Sequence, residues 1–290
     1  MNADALIERA IERAVASAEG PDTPPKLADA IRYAVFPGGA RVRPQLCLAV
    51  AQACGDDACM ELASSAAAAI ELLHCASLVH DDLPCFDAAD LRRGKASVHV
   101  AFSESLAVLA GDALIVMAFD TLFRERSVHP DRLVAVMKIV SRAVGAREGI
   151  VAGQAWESEP NIDLRAYHRS KTGALFVAAA MAGAAAAGDD GAVWRRLGER
   201  LGEAYQIADD VRDFTMDAGA LGKPAGQDER HLRPNAVHSI GLQSAIEQLQ
   251  ALVEDAADAV PACDGASDLR ALIHAQASRL TPKNISSASV

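Results

Sequence analysis

The sequence predicts an all-α protein, a large bundle of helices forming one domain over residues 1–290. Three observations point there. Apolar residues recur at helical spacing along almost the whole chain, and no convincing alternating strand interrupts them. The composition is 51% hydrophobic yet contains only three Tyr and two Trp, which favours Ala- and Leu-rich helices over sheets. Some stretches, such as ESLAVLAGDALIVMA at 104–118, are apolar on more than one face, as helices inside a bundle are.

In chain order the pattern places helices near 3–18, 26–36, 44–54, 58–82, 100–125, 131–157, 164–187, 191–217, 235–258 and 267–280. The first is amphipathic and acidic. GPDTPP separates it from the second, and the turn FPGGARVRP opens the third. CGDD, SVHPD, SEPNID and GDDG divide the following helices, each rich in the residues that favour turns. No low-complexity linker or short-period repeat breaks this order.

The formal charge of −11 argues against nucleic acid as a partner, because a phosphate backbone is bound by a basic surface. A phosphorylated metabolite remains open, since it can reach carboxylates through Mg²⁺. The six cysteines contain no CxxC or paired zinc-like spacing and read as buried small hydrophobes in a reducing, cytoplasmic setting. The start, MNADALIERAIERAV, is not a basic-then-apolar leader. The longest uncharged stretch, Thr172 to Gly188, falls short of the about 20 apolar residues of a spanning helix, so a buried helix is expected there.

Two acid clusters stand out. HDDLPCFD closes a long apolar helix at 80–87, and QIADDVRD lies on another at 206–213. Asp209 and Asp213, at i and i+4, stack on one helix face, with Asp210 about 100° round. Like charges at that spacing are destabilising, and a divalent cation is the simplest compensation. Asp81 and Asp87 would diverge on a straight helix. Pro84 removes a backbone donor to the His80 carbonyl and disfavours helix at Leu83, so the chain is expected to unwind over 83–86 and fold Asp87 back toward Asp81. Basic residues accompany the acids: Arg41 and Arg43 after Gly38-Gly39, Arg92 and Arg93 after the first cluster, Lys171-Thr172-Gly173, and Lys223 after the second. Arginine pairs phosphate bidentately and lysine acts as a point charge, a mixture suited to two diphosphates.

With these residues in place the chain resembles the trans-isoprenyl diphosphate synthases, the polyprenyl synthetase family. FPGGARVRP, HDDLPCFDAADLRRG, GQAWE, HRSKTGALF and YQIADDVRDFTMDAGALGKPAGQD match its motifs in order from residue 36 to about 235. The resemblance implies the isoprenoid-synthase fold, a helical bundle around a deep central cavity, in a homodimer. It implies that Asp81, Asp87 and Asp209 bind three Mg²⁺ and, through them, an allylic diphosphate, with Asp82, Asp210 and Asp213 in supporting places. Arg92, Lys171 and Lys223 would contact the same diphosphate. Arg43, Arg93 and His74 would hold isopentenyl diphosphate, and Thr172 and Gln206 would lie near the developing cation.

The chain departs from the family pattern in places. Ala40 stands where the family has lysine, weakening the isopentenyl diphosphate site unless Arg41 compensates; Arg233 replaces another lysine, and Glu157 replaces the Asp of GQxxD. Ala76 and Ser77, the fifth and fourth residues before Asp81, are small where members that stop at fifteen carbons tend to carry an aromatic. A C20 product, geranylgeranyl diphosphate, is therefore expected, with Leu72, Leu73 or the facing helix as floor; farnesyl diphosphate is the alternative. Rival readings are an HD-type phosphohydrolase from His80-Asp81, a non-catalytic regulatory subunit from Ala40, and a terpene cyclase. The missing upstream histidine, the intact acid clusters and the two diphosphate-binding sets count against them in turn. The downstream use, in carotenoid, quinone or another prenyl lipid, stays open.

Overall fold

The computed structural model describes residues 3–36, 39–55, 59–125, 129–161, 163–215 and 235–280. Helices α1 (Ala3–Ala16) and α2 (Pro25–Val35) are amphipathic and lie over the bundle, α2 opening on a proline whose missing N–H is spare in a first turn. Helices α3 (Val42–Cys54) and α4 (Met60–Asp81) follow, and α4 is buried along almost its whole length from Leu62 to Ala76. After α5 (Val98–Ala101), α6 (Glu104–Phe123) starts under a Ser103 side chain that accepts from the Leu106 N–H. Helices α7 (Pro130–Val144), α8 (Ile150–Ala155) and α9 (Leu164–His168) lead through a π turn, Arg169–Gly173, into α10 (Ala174–Ala187). The last elements are α11 (Arg195–Thr215), α12 (Ala236–Ile240), α13 (Leu242–Asp258) and α14 (Ala266–Leu280).

Alanine-rich α4 and α10 form the centre, packed by α3, α6, α7 and α11. Small side chains let the backbones approach, and buried large ones such as Trp194, Phe176, Ile70 and Leu114 fill the space between the helices. Burial pushes the thiols of Cys47, Cys54 and Cys75 up to about 12, which leaves them protonated packing groups.

The pattern missed two helix breaks and a short hairpin. The predicted helix 131–157 is divided after Val144, where Gly145 and Gly149 turn the chain. The predicted helix 235–258 is divided at Gly241, whose φ of 83° lies in the left-handed region. Inside the loop after α4 a two-residue hairpin pairs β1 (Leu91–Arg92) with β2 (Lys95–Ala96). Its turn, Arg93–Gly94, has φ of 54° and 76°, the doubly positive geometry that suits a twisted hairpin.

Among the described residues, three helical stretches are long and apolar enough to cross a membrane: Met60–Asp81, Glu104–Phe123 and Leu164–Ala187. The sequence had singled out only the shorter 172–188. The first and third are 83% and 78% buried inside the protein, so their apolar surface is already used by the core. The α6 stretch is only 39% buried and keeps Val108, Leu109, Val116 and Phe123 exposed.

Arg41 overturns one expectation. It precedes α3 in a left-handed conformation, φ 51°, and its side chain turns into the protein. There it donates to Glu71 Oε1 at 2.7 Å, Glu8 Oε1 at 2.9 Å and the Val35 carbonyl at 3.1 Å. It is thus committed to fastening α1, α2 and α4, and does not replace the lysine missing at Ala40. Glu71 is 2% exposed and is the buried carboxylate of the set, so removing it leaves the buried guanidinium with only half-exposed Glu8 and the Val35 carbonyl. Glu71→Ala is expected to cost about 3–5 kcal/mol in urea denaturation; a loss below about 1 kcal/mol would show that water repairs the site.

Candidate active site

The first acidic wall is built by the end of α4. The helix stops at Asp81, Leu83 N–H donates to the His80 carbonyl at 3.1 Å, and Ala88 N–H donates to Leu83 at 3.0 Å. Asp87 N–H then donates to the Asp81 carbonyl at 2.9 Å. The proline-driven fold-back read from the sequence is therefore present, and Asp81 and Asp87 both face one cavity. Asp82 does not. It is 2% exposed, absent from the cavity wall, and accepts from Arg92 Nε at 3.0 Å and from Nη2. Burial pushes the Asp82 carboxyl up, and the Arg92 guanidinium pulls against that rise. Arg92 reaches the cavity from this anchor, with Nη2 3.8 Å from Asp81 Oδ2.

The opposite wall is α11. Asp209 and Asp213 line the cavity, together with Tyr205, Gln206 and Arg212. Arg212 donates to Asp209 Oδ1 at 3.1 Å and lies over the Tyr205 ring, 5.5 Å from its centroid. Asp210 is turned away and 3% exposed. It accepts from Gln206 Nε2 at 3.1 Å and, through its other oxygen, from the Ala236 N–H at 2.7 Å. Both second aspartates thus hold structure instead of facing the cavity, in keeping with the supporting places the resemblance implies for them.

Lys171 sits in the π turn and ties the first wall to Glu157, just after α8. Its Nζ donates to Asp81 Oδ1 at 3.3 Å and to Glu157 Oε1 at 2.5 Å. Glu157 also accepts from the Tyr167 hydroxyl at 2.7 Å and from Gln154 at 3.3 Å. Its longer side chain, in place of aspartate, therefore acts on Lys171. Thr172 Oγ1 donates to Gln206 Oε1 at 2.8 Å, so these two cavity residues share a hydrogen-bonded chain that continues to Asp210.

A third, basic corner holds Arg43, His74 and Arg93. Arg43 lies 4.6 Å from the Phe176 centroid and 5.7 Å from that of Tyr205, and its buried Nε has no hydrogen-bond partner among the described residues. The Arg93 guanidinium is laid against Gly39, where a Cβ would stand 2.7 Å from Nη2. Burial, and then the guanidiniums of Arg43, Arg93 and Arg92, hold His74 well below the usual imidazole range, so it is a neutral donor–acceptor. Lys223 and Arg233 lie outside the described residues.

The cavity is about 800 Å³, within the about 300–1,000 Å³ usual for small-molecule sites. Its mouth is charged and its depth is apolar, walled by Leu73, Ala76, Ile115, Val144, Ile150 and Leu175. Ser77 also lines it, whereas Leu72 is fully buried and takes no part in the wall. Sequence reading missed Tyr167, Tyr205 and Arg212. Arg212 was legible in principle, one turn after Ala208 between two acids, but helical neighbours of that kind are usually surface ion pairs.

A helical bundle enclosing an apolar cavity with two carboxylate walls and clustered guanidiniums at its mouth defines the isoprenoid-synthase class of enzymes. The comparisons agree. The polyprenyl synthetase family pattern matches residues 24–267. A geranylgeranyl diphosphate synthase of Cereibacter sphaeroides is 51% identical over 279 residues, covering 96% of both chains. One from Rhodobacter capsulatus is 50% identical, covering 97% of this chain and 96% of that one. A crystal structure of a Helicobacter pylori geranyltransferase with magnesium and isoprenyl diphosphate superposes with TM-score 0.79 at 28% identity, covering 96% of this chain and 98% of that one. An FPP/GFPP synthase structure from Zymomonas mobilis gives 0.77 at 33%, covering 95% and 99%. The chain belongs to the polyprenyl synthetase family.

The His74 environment sets a pH dependence. The unfolded chain binds a proton near pH 6.5 that folded His74 refuses, so stability is full above that pH and falls as pH drops through it. In urea denaturation between pH 8 and 5, His74→Gln is expected to fall less steeply than the parent; parallel curves would contradict the assignment.

Proposed function

We propose that the protein is a prenyltransferase that condenses isopentenyl diphosphate with an allylic diphosphate to give geranylgeranyl diphosphate. The observation that carries this reading is the pairing of two opposed carboxylate walls with two separate cationic corners, above an apolar shaft. One corner is Arg92 and Lys171, the other Arg43, His74 and Arg93. A hydrolase or cyclase would need only one.

The donor set fits Mg²⁺. Among the described residues no group of three or more His, Cys, Asp or Glu encloses a cation site. The walls instead offer separate carboxylates, Asp81 and Asp87 on one side and Asp209 on the other, with phosphate oxygens to complete the shell, as Mg²⁺ prefers. Three ions is the count this reading adopts. When bound, Mg²⁺ would supply Lewis-acid neutralisation of charge on the departing diphosphate.

The chain's own residues do the rest. Arg92, held by Asp82, and Lys171, held by Glu157, take up diphosphate charge as the allylic C–O bond ionises. The Thr172–Gln206 pair turns neutral dipoles toward the cation, and the apolar walls exclude water from it. Arg43, Arg93 and His74 hold isopentenyl diphosphate so that its alkene attacks the allylic C1; a proton is then lost from the new chain. Lys223 and Arg233 are assigned to substrate diphosphate on the motifs alone. Small Ala76 and Ser77 leave the shaft open past the C15 stage, which favours the C20 product over farnesyl diphosphate.

The same reading makes residues 1–290 one domain, places it in the cytoplasm, where the six free thiols stay reduced, and pairs two copies through α6. Val116 and Phe123 are 67% and 69% exposed on that helix, an apolar face of the kind that marks an interface. Leu109→Glu with Val116→Glu is expected to shift the protein from dimer to monomer in sedimentation; an unchanged dimer would place the interface elsewhere.

Incubation with isopentenyl and geranyl diphosphates and Mg²⁺, followed by chromatography, tests the activity. A C20 product is expected, Ala76→Tyr should shorten it, and Asp81→Asn or Asp209→Asn should lower turnover on the order of 10²–10³-fold. C15 as end product of the parent enzyme would overturn the C20 assignment, and Mg²⁺-dependent phosphate release without coupling would overturn the transferase.

A further inference from the structure

The floor of the shaft can be assigned by the register of two helices. His80 Nε2 lies 3.3 Å from the Val108 carbonyl, and Ser65 Oγ donates to Glu125 Oε2 at 2.7 Å. Going back along α4 from 80 to 65 therefore matches going forward along α6 and just past its end, from 108 to 125. The helices run antiparallel, side by side. Gly111 gives a third fix, because a Cβ there would meet His80 Nε2 at 2.1 Å, so the His80 ring lies directly against α6 at that level. Counting from these contacts, Ile115 stands level with residues 73–76 of α4.

Ile115 also points the right way. It lines the cavity, whereas its neighbour Val116, about 100° further round the helix, is 67% exposed. On the α4 side of that level the wall is Ala76 and Ser77, too small to obstruct a chain. Ala76 is about 7.5 Å along the axis from Asp81, and Leu73 about 12 Å. Leu78 of α4 lines the cavity nearer Asp81; at the level of Ala76 itself α4 offers only a methyl group, and the branched side chain facing it from α6 is Ile115.

We propose that Ile115 is the specificity-determining residue that stops chain growth, working with Leu73 one turn deeper. This rests on the prenyltransferase reading and adds the side chain that sets product length. One isoprene unit is about 5 Å, close to the 5.4 Å of a helical turn, so clearing Ile115 opens room for about one further unit. The small α4 residues make length depend on the facing helix, and a substitution at 115 acts without touching the diphosphate ends.

The test uses the full chain with isopentenyl and geranyl diphosphates, Mg²⁺ and chromatography of the products. Ile115→Val and Ile115→Ala should raise the ratio of C25 to C20 product in that order, on the order of tenfold for Ala, since a few methylenes in an apolar pocket carry that much discrimination. Ile115→Phe should move the end product to C15. Thermal unfolding of each variant separates loss of fold from change of product. If Ile115→Phe does not fold, the graded Val and Ala series decides alone. Active Val and Ala variants with the parent's product ratio would overturn the role of Ile115. Absence of coupling in the parent enzyme would overturn the prenyltransferase reading instead.

Discussion

The Asp87 N–H to Asp81 carbonyl bond, 2.9 Å long, closes the chain on itself where α4 ends. A straight helix would have carried Asp87 away from Asp81. The bond is available because Pro84 stops the helical ladder and leaves the last carbonyls of α4 without intrahelical partners. From this fold-back follow the acidic wall, the position of the Arg93–Gly94 turn and the approach of Arg92. Asp82, the residue between, then becomes the buried anchor of that arginine, and the hairpin holds Arg92 and Arg93 on two sides of the cavity mouth.

The second wall is governed by a chain of polar contacts. Thr172 donates to Gln206, Gln206 donates to Asp210, and the other Asp210 oxygen accepts from the Ala236 N–H. Each group in this chain has its partner, which is what makes a buried polar network stabilising rather than costly. It ties the π turn after α9, the acidic helix α11 and the start of α12 into one unit. In both acid pairs one carboxylate faces the cavity and its neighbour braces the fold. Adjacent aspartates on a helix point about 100° apart, so a pair can serve both tasks at once.

Much of this was legible in the residues. The helical class, the order of the long helices, the effect of Pro84 and the meeting of Asp81, Asp87, Asp209, Lys171 and Gln206 all followed from period, spacing and motif. What was not legible depended on tertiary partners. Arg41 reads as a phosphate ligand beside Gly39, but Glu71, thirty residues on, claims it. Asp82 and Asp210 look like their neighbours in sequence and differ only in what lies behind them. The hairpin was too short to show a strand period, and the breaks at Gly145 and Gly241 fall inside otherwise continuous apolar patterns. The register of α4 against α6, and with it the position of Ile115, is invisible without the fold.

The central claim is that the two acidic walls form a cation site which only a diphosphate completes. Calorimetric titration of the parent protein with inorganic diphosphate, with and without Mg²⁺, tests it most directly. A binding event that needs Mg²⁺ is expected in addition to any uptake by the Arg43–His74–Arg93 corner, and this event should be lost in Asp81→Asn and Asp209→Asn. Equal binding with and without Mg²⁺, or a Mg²⁺-dependent event that survives both substitutions, would contradict that claim.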